Sequence, residues 1–387
     1  MALIVVSGAL ANKPFNGGAS WTRLSWALGF KKLGHTVYFV EQIAPRTCVD
    51  ALGAPCDLTR SINLAYFEEV TRRLGLGATS ALISETNGIA VGLSHSELIA
   101  IAQSADLLVN ISGHLTLQTL KPAFRRRVFV DLDPGYTQFW HLQGLATERL
   151  RDHHEYFTIG ENIGTPGCSI PAGGIDWRPI RQPALLDEWP ATTNGASMRF
   201  TTVASWRGPY GRATFDGLQF GVKAHEFRKF VALPTLAKHR FEIALEMDNA
   251  DRPDLESLKR HSWNLVDPKL VAGDPFTFRK YIQESSAECS VAQGVYVETR
   301  CGWFSDRTVR YLASGKPALV QDTGFSHTYP AQRGLVAYRT LEEAARGADA
   351  IARDYEAHSR EARAIAEEFF DSDKVLAALL RQAGVTS

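Results

Sequence analysis

The chain has no excess charge of either sign: its 387 residues include 42 Lys and Arg against 42 Asp and Glu. No net field draws it to nucleic acid or to an anionic membrane, and neither partner is expected. Cysteine is sparse, and Cys48, Cys56, Cys168, Cys289 and Cys301 are scattered with no C-x-x-C among them. That argues against a zinc module or a disulfide framework and suits a reducing compartment, so a cytoplasmic location is expected. No apolar run approaches a membrane span. The apolar start, ALIVVSGALA, has no basic flank, runs at once into Asn12, Lys13 and Pro14, and reads as a first buried strand. Two phosphate-binding signatures are also missing. There is no Walker A sequence and no G-x-G-x-x-G; the nearest approach, Gly75 with Gly77, stands at the end of an expected helix. This makes a dehydrogenase the weakest of the enzyme classes.

What is present is alternation. Leu3–Val6 reads as a strand. Gly17 and Gly18 then precede a helix over Ser20–Leu33 with Trp21, Leu24, Ala27 and Leu28 at helical spacing, and Thr36–Val40 is the next strand. Short strands at Leu107–Asn110 and Val128–Asp131 each end in polar residues, which include His114 after the first and Asp133 after the second. Polar groups that converge at strand carboxyl ends are what a ligand cleft in such a sheet requires. Asp133 before Pro134-Gly135 also reads as plain turn chemistry, and His114 as a loop histidine bonded to backbone. Gly160–Pro190 is crowded with glycine and proline, lacks any period and reads as a crossover. The strand pattern then restarts at Phe200–Ala204.

Val295–Ser326 is the most organised stretch. It predicts a strand start at Val295, Tyr296 and Val297, then a loop around Gly302 and a helix opening at Ser305-Asp306-Arg307. A stop at Gly315 and a buried strand over Ala318–Val320 follow. A loop that feeds free N–H groups at a strand's carboxyl end is a natural anion site. The expected fold is α/β, with two doubly wound, Rossmann-like domains that face each other across a cleft. The expected divisions are 1–175, 176–370 and a last helical segment, 371–387, that crosses back to the first domain.

Two motifs carry a family resemblance. Gly17-Gly18 ahead of a helix that ends Leu33-Gly34-His35-Thr36-Val37, together with ASGKPALV at Ala313–Val320, resembles the nucleotide-sugar glycosyltransferases of the GT-B fold. The large retaining family of that fold carries two glutamates eight positions apart before its A-x-G-x-P turn. Those positions here hold Gly302 and Arg310, so the chain resembles a divergent branch near the CgeB-like transferases, and retention or inversion stays open. The resemblance implies transfer from a nucleoside-diphosphate sugar to a hydroxyl acceptor, with no cofactor and no metal. His153-His154-Glu155 is rejected as a metal site, since neighbouring histidines on a helix diverge by about 100°.

The implied donor contacts are Arg207, Lys223, Glu298, the Ser305, Asp306 and Arg307 turn, and Asp322, Thr323 and Gly324. Gly17, Gly18 and Ser20 form the implied acceptor-side loop, and Asp133 and His114 are the candidate bases. An epimerase of the same fold and a non-catalytic sugar-nucleotide binder are the alternatives. Arg307→Ala is expected to lose donor binding and keep the fold.

Overall fold

The computed structural model describes residues 1–86, 88, 90–192 and 198–385. The first strand, β1 (Leu3–Ser7), is apolar and buried, and α1 (Gly17–Lys32) follows it. The Asn16 side chain caps α1 by accepting the Ala19 N–H at 2.9 Å. The first sheet continues through β2 (Thr36–Ile43), β3 (Ser80–Ser84), β4 (Ala90–Gly92), β5 (Leu107–Ile111), β6 (Arg127–Asp131), β7 (Glu155–Thr158) and β8 (Trp177–Pro179). Among the described residues its strands run in the order β4-β3-β2-β1-β5-β6-β7-β8, parallel except for the β3–β4 pair. A short helix, α2 (Tyr136–Leu142), follows β6.

The second sheet starts with β9 (Arg199–Ser205). A small antiparallel hairpin, β10 (Thr214–Phe215) and β11 (Leu218–Gln219), comes next, and then helix α3 (Lys223–Arg228). The remaining strands are β12 (Arg240–Glu246), β13 (Trp263–Val266), β14 (Ala287–Ser290), β15 (Ala318–Gln321) and β16 (Leu335–Tyr338). They lie parallel in the order β13-β12-β9-β14-β15-β16. Helix α4 (Pro275–Glu284) precedes β14, α5 (Gly294–Thr299) follows it, α6 (Asp306–Ala313) precedes β15, and α7 (Ser372–Gln382) is the last element. The two doubly wound domains expected from the alternation are present. No helix is long and apolar enough to cross a membrane among the described residues, and all five cysteines are free.

The expected strand at Val295–Val297 is a helix instead: α5 covers Gly294–Thr299, and the strand before it is Ala287–Ser290. A short apolar run has no period that separates a buried strand from a buried helix. Here contact decides. An added Cβ at Gly294 would lie 2.6 Å from the Gly221 carbonyl oxygen, so the chain turns against the start of α3. The Gly- and Pro-rich crossover is tied down: Asn162 N–H donates to the Cys301 carbonyl at 3.0 Å, and Ser169 N–H to that of Thr299 at 3.2 Å.

Helix α1 joins the halves. It is buried on nearly every side because its inner face lies on the first sheet and its outer face lies on α4, α6 and α7. Trp21 packs into the second domain's core beside Trp189, with ring centroids 5.2 Å apart, and its Nε1–H donates to the Pro275 carbonyl at 2.7 Å. Leu376, Leu379 and Leu380 of α7 pack into the first domain's core. Gly17 permits the close approach to α4, since an added Cβ there would stand 2.0 Å from the Asp274 carbonyl oxygen. Gly17→Ala is therefore expected to push α1 and α4 apart at a cost of about 1–3 kcal/mol, read as a lower denaturation midpoint. Gly18→Ala, where the added Cβ meets only the Phe278 ring at 3.4 Å, should change the midpoint far less.

Candidate functional site

The carboxyl ends of both sheets open onto one cleft of about 990 Å3, the position at which doubly wound sheets bind ligands. The first domain lines it with Lys13–Asn16, Gly18, Ala19, Thr22 and Arg23, with Leu132 and Asp133 after β6, and with Ile159 after β7. The second domain contributes Val203–Ser205 at the end of β9, Leu245–Met247 at the end of β12 and Asp267–Lys269 after β13. Lys223, Tyr296, Trp303, Asp306 and Arg307 also face it.

Of the expected donor contacts, Lys223, Asp306 and Arg307 reach this cleft. Lys223 opens α3, and no hydrogen bond or ion pair engages its Nζ among the described residues. Burial first, and then the nearby Arg307 guanidinium, lower its pKa to about 7. Arg307 instead uses all three of its guanidinium nitrogens within its own domain. Its guanidinium donates to Glu288 at 2.6 Å, to Ser290 Oγ at 2.6 Å and to the Val203 carbonyl at 2.8 Å. Glu288 is buried in the middle of the sheet; burial raises its pKa against the pull of Arg307. Asp306 accepts the Thr22 hydroxyl at 2.6 Å, which makes it a bond between domains, and the Ser305 side chain forms no cap bond.

The other expected donor residues lie elsewhere. Arg207 forms a bidentate pair with Asp251, both bonds 2.8 Å, and is not among the residues that line the cleft. Glu298 is exposed and accepts the Gly221 N–H at 3.2 Å. Asp322 ties its own turn together: it accepts from the Gly324 N–H at 2.9 Å, Ser326 Oγ at 2.9 Å and Arg339 at 2.6 Å. Burial raises the Asp322 pKa, the Arg339 and Ser326 bonds lower it, and the net displacement is downward. Thr323 donates to the Trp303 carbonyl at 2.5 Å, and Gly324 takes a left-handed turn at φ 95°. On the acceptor side, Gly18 lines the cleft, Gly17 meets α4, and Ser20 bonds to Tyr66 at 2.9 Å inside the first domain.

Asp133 faces the cleft and accepts the Tyr210 hydroxyl at 3.2 Å, a contact between domains. The loop that carries Tyr210 is held against α2, where the Tyr136 hydroxyl donates to the Gly211 carbonyl at 2.9 Å and Phe139 stacks on Phe215 and Phe220. His114 has its pKa pushed down to about 3 by burial and then by Arg23, Arg149 and Lys13, so its ring is neutral at physiological pH and a poor proton acceptor. His153 and His154 are engaged separately, the first with the Leu150 carbonyl and Asn110, the second with the Arg127 N–H.

Sequence reasoning did not single out Lys13, Arg23, Tyr296 or Lys269. Arg23 sits inside a helix whose apolar neighbours dominate the pattern. Lys13 follows Asn12 in the loop after β1. The buried Glu41 at the end of β2 fixes that loop by accepting the Ala11 N–H at 2.6 Å and the Asn12 N–H at 2.8 Å. A buried acid at a strand end was the available signal.

No protein-family model matches the chain, and no curated protein does. Solved structures do. AviGT4, a glycosyltransferase of avilamycin A biosynthesis, superimposes with a TM-score of 0.57 at 14% identity, covering 99% of this chain and 97% of its own. HepE of Anabaena, in complex with UDP and glucose, gives a TM-score of 0.60 at 9% identity over 100% of both chains. An alpha-glucosyltransferase in complex with UDP and a DNA 13-mer gives 0.62 at 11% identity over 99% of both. The chain has the GT-B fold.

The Arg307–Glu288 pair gives Arg307 a structural part besides the donor contact expected from the sequence. Arg307→Ala leaves a buried, uncompensated carboxylate, a loss of about 3–5 kcal/mol, and Glu288→Gln in the same chain is expected to recover much of it. Lys223→Met behaves oppositely. The folded state disfavours the charged lysine, so native stability falls as pH drops from about 10.5 toward 7. Removing the amine is expected to raise the urea midpoint at pH 7 and to flatten this slope.

Proposed function

We propose that the protein transfers a glycosyl group from a nucleoside-diphosphate sugar to a hydroxyl acceptor, without a metal. The observation that carries this reading is Lys223: a cleft-lining amine with no partner for its Nζ among the described residues, at the carboxyl end of the second sheet and across from a carboxylate, Asp133, on the first. The GT-B fold, and neighbours described as glycosyltransferases in complex with UDP or UDP-glucose, support it.

The chemistry follows from the charges. As the bond between the sugar's anomeric carbon and the diphosphate oxygen breaks, negative charge grows on the leaving nucleoside diphosphate. Lys223 is the group that meets it, and a preorganised cation aimed at developing charge supplies a large part of such catalysis. Arg307 adds positive potential, with three of its five N–H groups held by Glu288, Ser290 and Val203. The acceptor hydroxyl forms the new bond to the anomeric carbon and loses its proton. In an inverting reaction Asp133 takes that proton, and the Tyr210 hydroxyl orients it. His114 is the weaker base because of its depressed pKa.

Calorimetry with UDP tests the donor half. Lys223→Ala is expected to weaken UDP binding by about tenfold or more, the value of a charge-assisted contact. Bound diphosphate favours the ammonium form, so wild-type affinity is expected to be highest below pH 7 and to decline as pH rises through 7 to 9. Lys223→Arg, charged throughout, should flatten the decline. Asp133→Asn should leave UDP affinity within twofold and lower turnover by 10²–10⁴. Free UDP released by an active preparation in the absence of any acceptor favours the epimerase alternative. UDP bound without turnover on any acceptor favours the non-catalytic binder.

A further inference from the structure

The first-domain wall of the cleft holds more positive charge than a nucleotide's diphosphate on the second domain calls for. Lys13 and Arg23 both line the cleft. Neither they nor Arg149 forms an ion pair among the described residues. Arg23 is only 6% exposed, yet its guanidinium makes one hydrogen bond, Nη1 to the Ala19 carbonyl at 3.3 Å, and its Nε–H has no partner. A buried cation left with unused donors is costly unless something else satisfies it.

The surrounding backbone is shaped to keep this arginine in place. An added Cβ at Gly8 would stand 2.8 Å from Arg23 Cγ, so the side chain runs over a strand end that has no side chain of its own. After β5, Ser112 and Gly113 take consecutive left-handed conformations, φ 53° and 62°. That turn presses Gly113 against the Arg149 backbone, 2.5 Å from an added Cβ, and leaves the buried Ser112 Oγ without a partner. Strain of this kind, held in place by packing, is frequent at ligand sites.

The fields agree with the geometry. The Lys13 pKa is lowered to about 8, first by Arg23 and then by burial, although Asp133 and Asp306 pull it up. Asp306 is occupied by the Thr22 hydroxyl and Asp133 by the Tyr210 hydroxyl. His114, in the fields of the same three cations, stays neutral and offers one further donor or acceptor. The wall is thus rich in donors and positive charge and poor in acceptors.

We infer that Lys13 and Arg23, reinforced by the field of Arg149, bind a phosphate group carried by the acceptor, so that the substrate which receives the sugar is a phosphate monoester. This rests on the glycosyl-transfer reading above and names the acceptor class for it. A dianion suits two cleft-lining cations and the nearby field of Arg149, and a phosphate presents enough oxygens to meet several donors at once. Asp133, at the edge of the same wall, is then placed beside a hydroxyl of the phosphorylated molecule.

The test is a titration of the full chain with inorganic phosphate in the presence of saturating UDP. Wild type is expected to bind phosphate with UDP already bound. Arg23→Gln and Lys13→Ala should each weaken phosphate binding tenfold or more while changing UDP affinity less than twofold; Lys223→Ala should do the reverse. Lys13→Ala sits in a loop and keeps the test valid if the buried Arg23 variant fails to fold. Competition between phosphate and UDP, or phosphate affinity that neither variant alters, overturns the inference, because the cations would then belong to the donor or to nothing. Acetate that binds as tightly as phosphate overturns the phosphate assignment in favour of a carboxylate. Failure of UDP to bind at all, with phosphate binding still dependent on Arg23, sinks the glycosyl-transfer reading and leaves the anion site standing.

Discussion

The placement of one helix governs the rest of the molecule. Helix α1 is the first helix of the first domain and also part of the second domain's core, through Trp21 against Trp189 and Phe278. The contact is reinforced by polar groups that cannot be satisfied any other way. Arg310, fully buried in α6, donates to the Ser25 hydroxyl at 2.9 Å and the Trp21 carbonyl at 3.2 Å, and burial lowers its pKa to about 10. A buried cation of this kind adds little net stability but penalises every arrangement in which its partners are withdrawn. It therefore favours the arrangement in which α1 stays docked on α6, on one side of the cleft.

That geometry explains the division of charge inside the cleft. Among the described residues the second domain supplies two ammonium groups without a partner, Lys223 and the more exposed Lys269, and one arginine that ties its own sheet together. The first domain supplies Asp133 and the Lys13 and Arg23 wall. Tyr210 and Thr22 bridge the domains by donating to Asp133 and Asp306. Each bridge fixes the position of a carboxylate that still acts on Lys13 through its charge, so cations and carboxylates share the cleft at set places.

Much of the fold was legible in the sequence because periodicity and punctuation are local. The β1–α1–β2 unit, the restart at β9 and the run from α6 through Gly315 to β15 follow from apolar spacing, caps and glycines. Val295–Val297 was not legible, because a three-residue apolar run fits a buried helix as well as a strand and the deciding contact is with Gly221, far away in the chain. The site was legible in part. Lys223, Asp306, Arg307, Gly18 and Asp133 do line the cleft, since strand ends and helix starts are where such residues must lie. Arg207, Glu298 and Asp322 have the right chemistry in the right neighbourhood, but partners distant in sequence, Asp251, Gly221 and Arg339, turn them to other work. Arg23 was hidden by the opposite effect, as a charged residue inside a helix that packing buries on nearly every side.

Glycosyl transfer in this cleft requires a nucleoside diphosphate to lie against Lys223. A crystal structure of the protein with UDP bound tests it most directly. The account predicts a diphosphate oxygen at about 2.7–2.9 Å from Lys223 Nζ, the length of a charge-assisted bond, with Arg307 still paired to Glu288. A diphosphate seated on Arg207 outside the cleft, or on the Lys13 and Arg23 wall with Lys223 untouched, would contradict it.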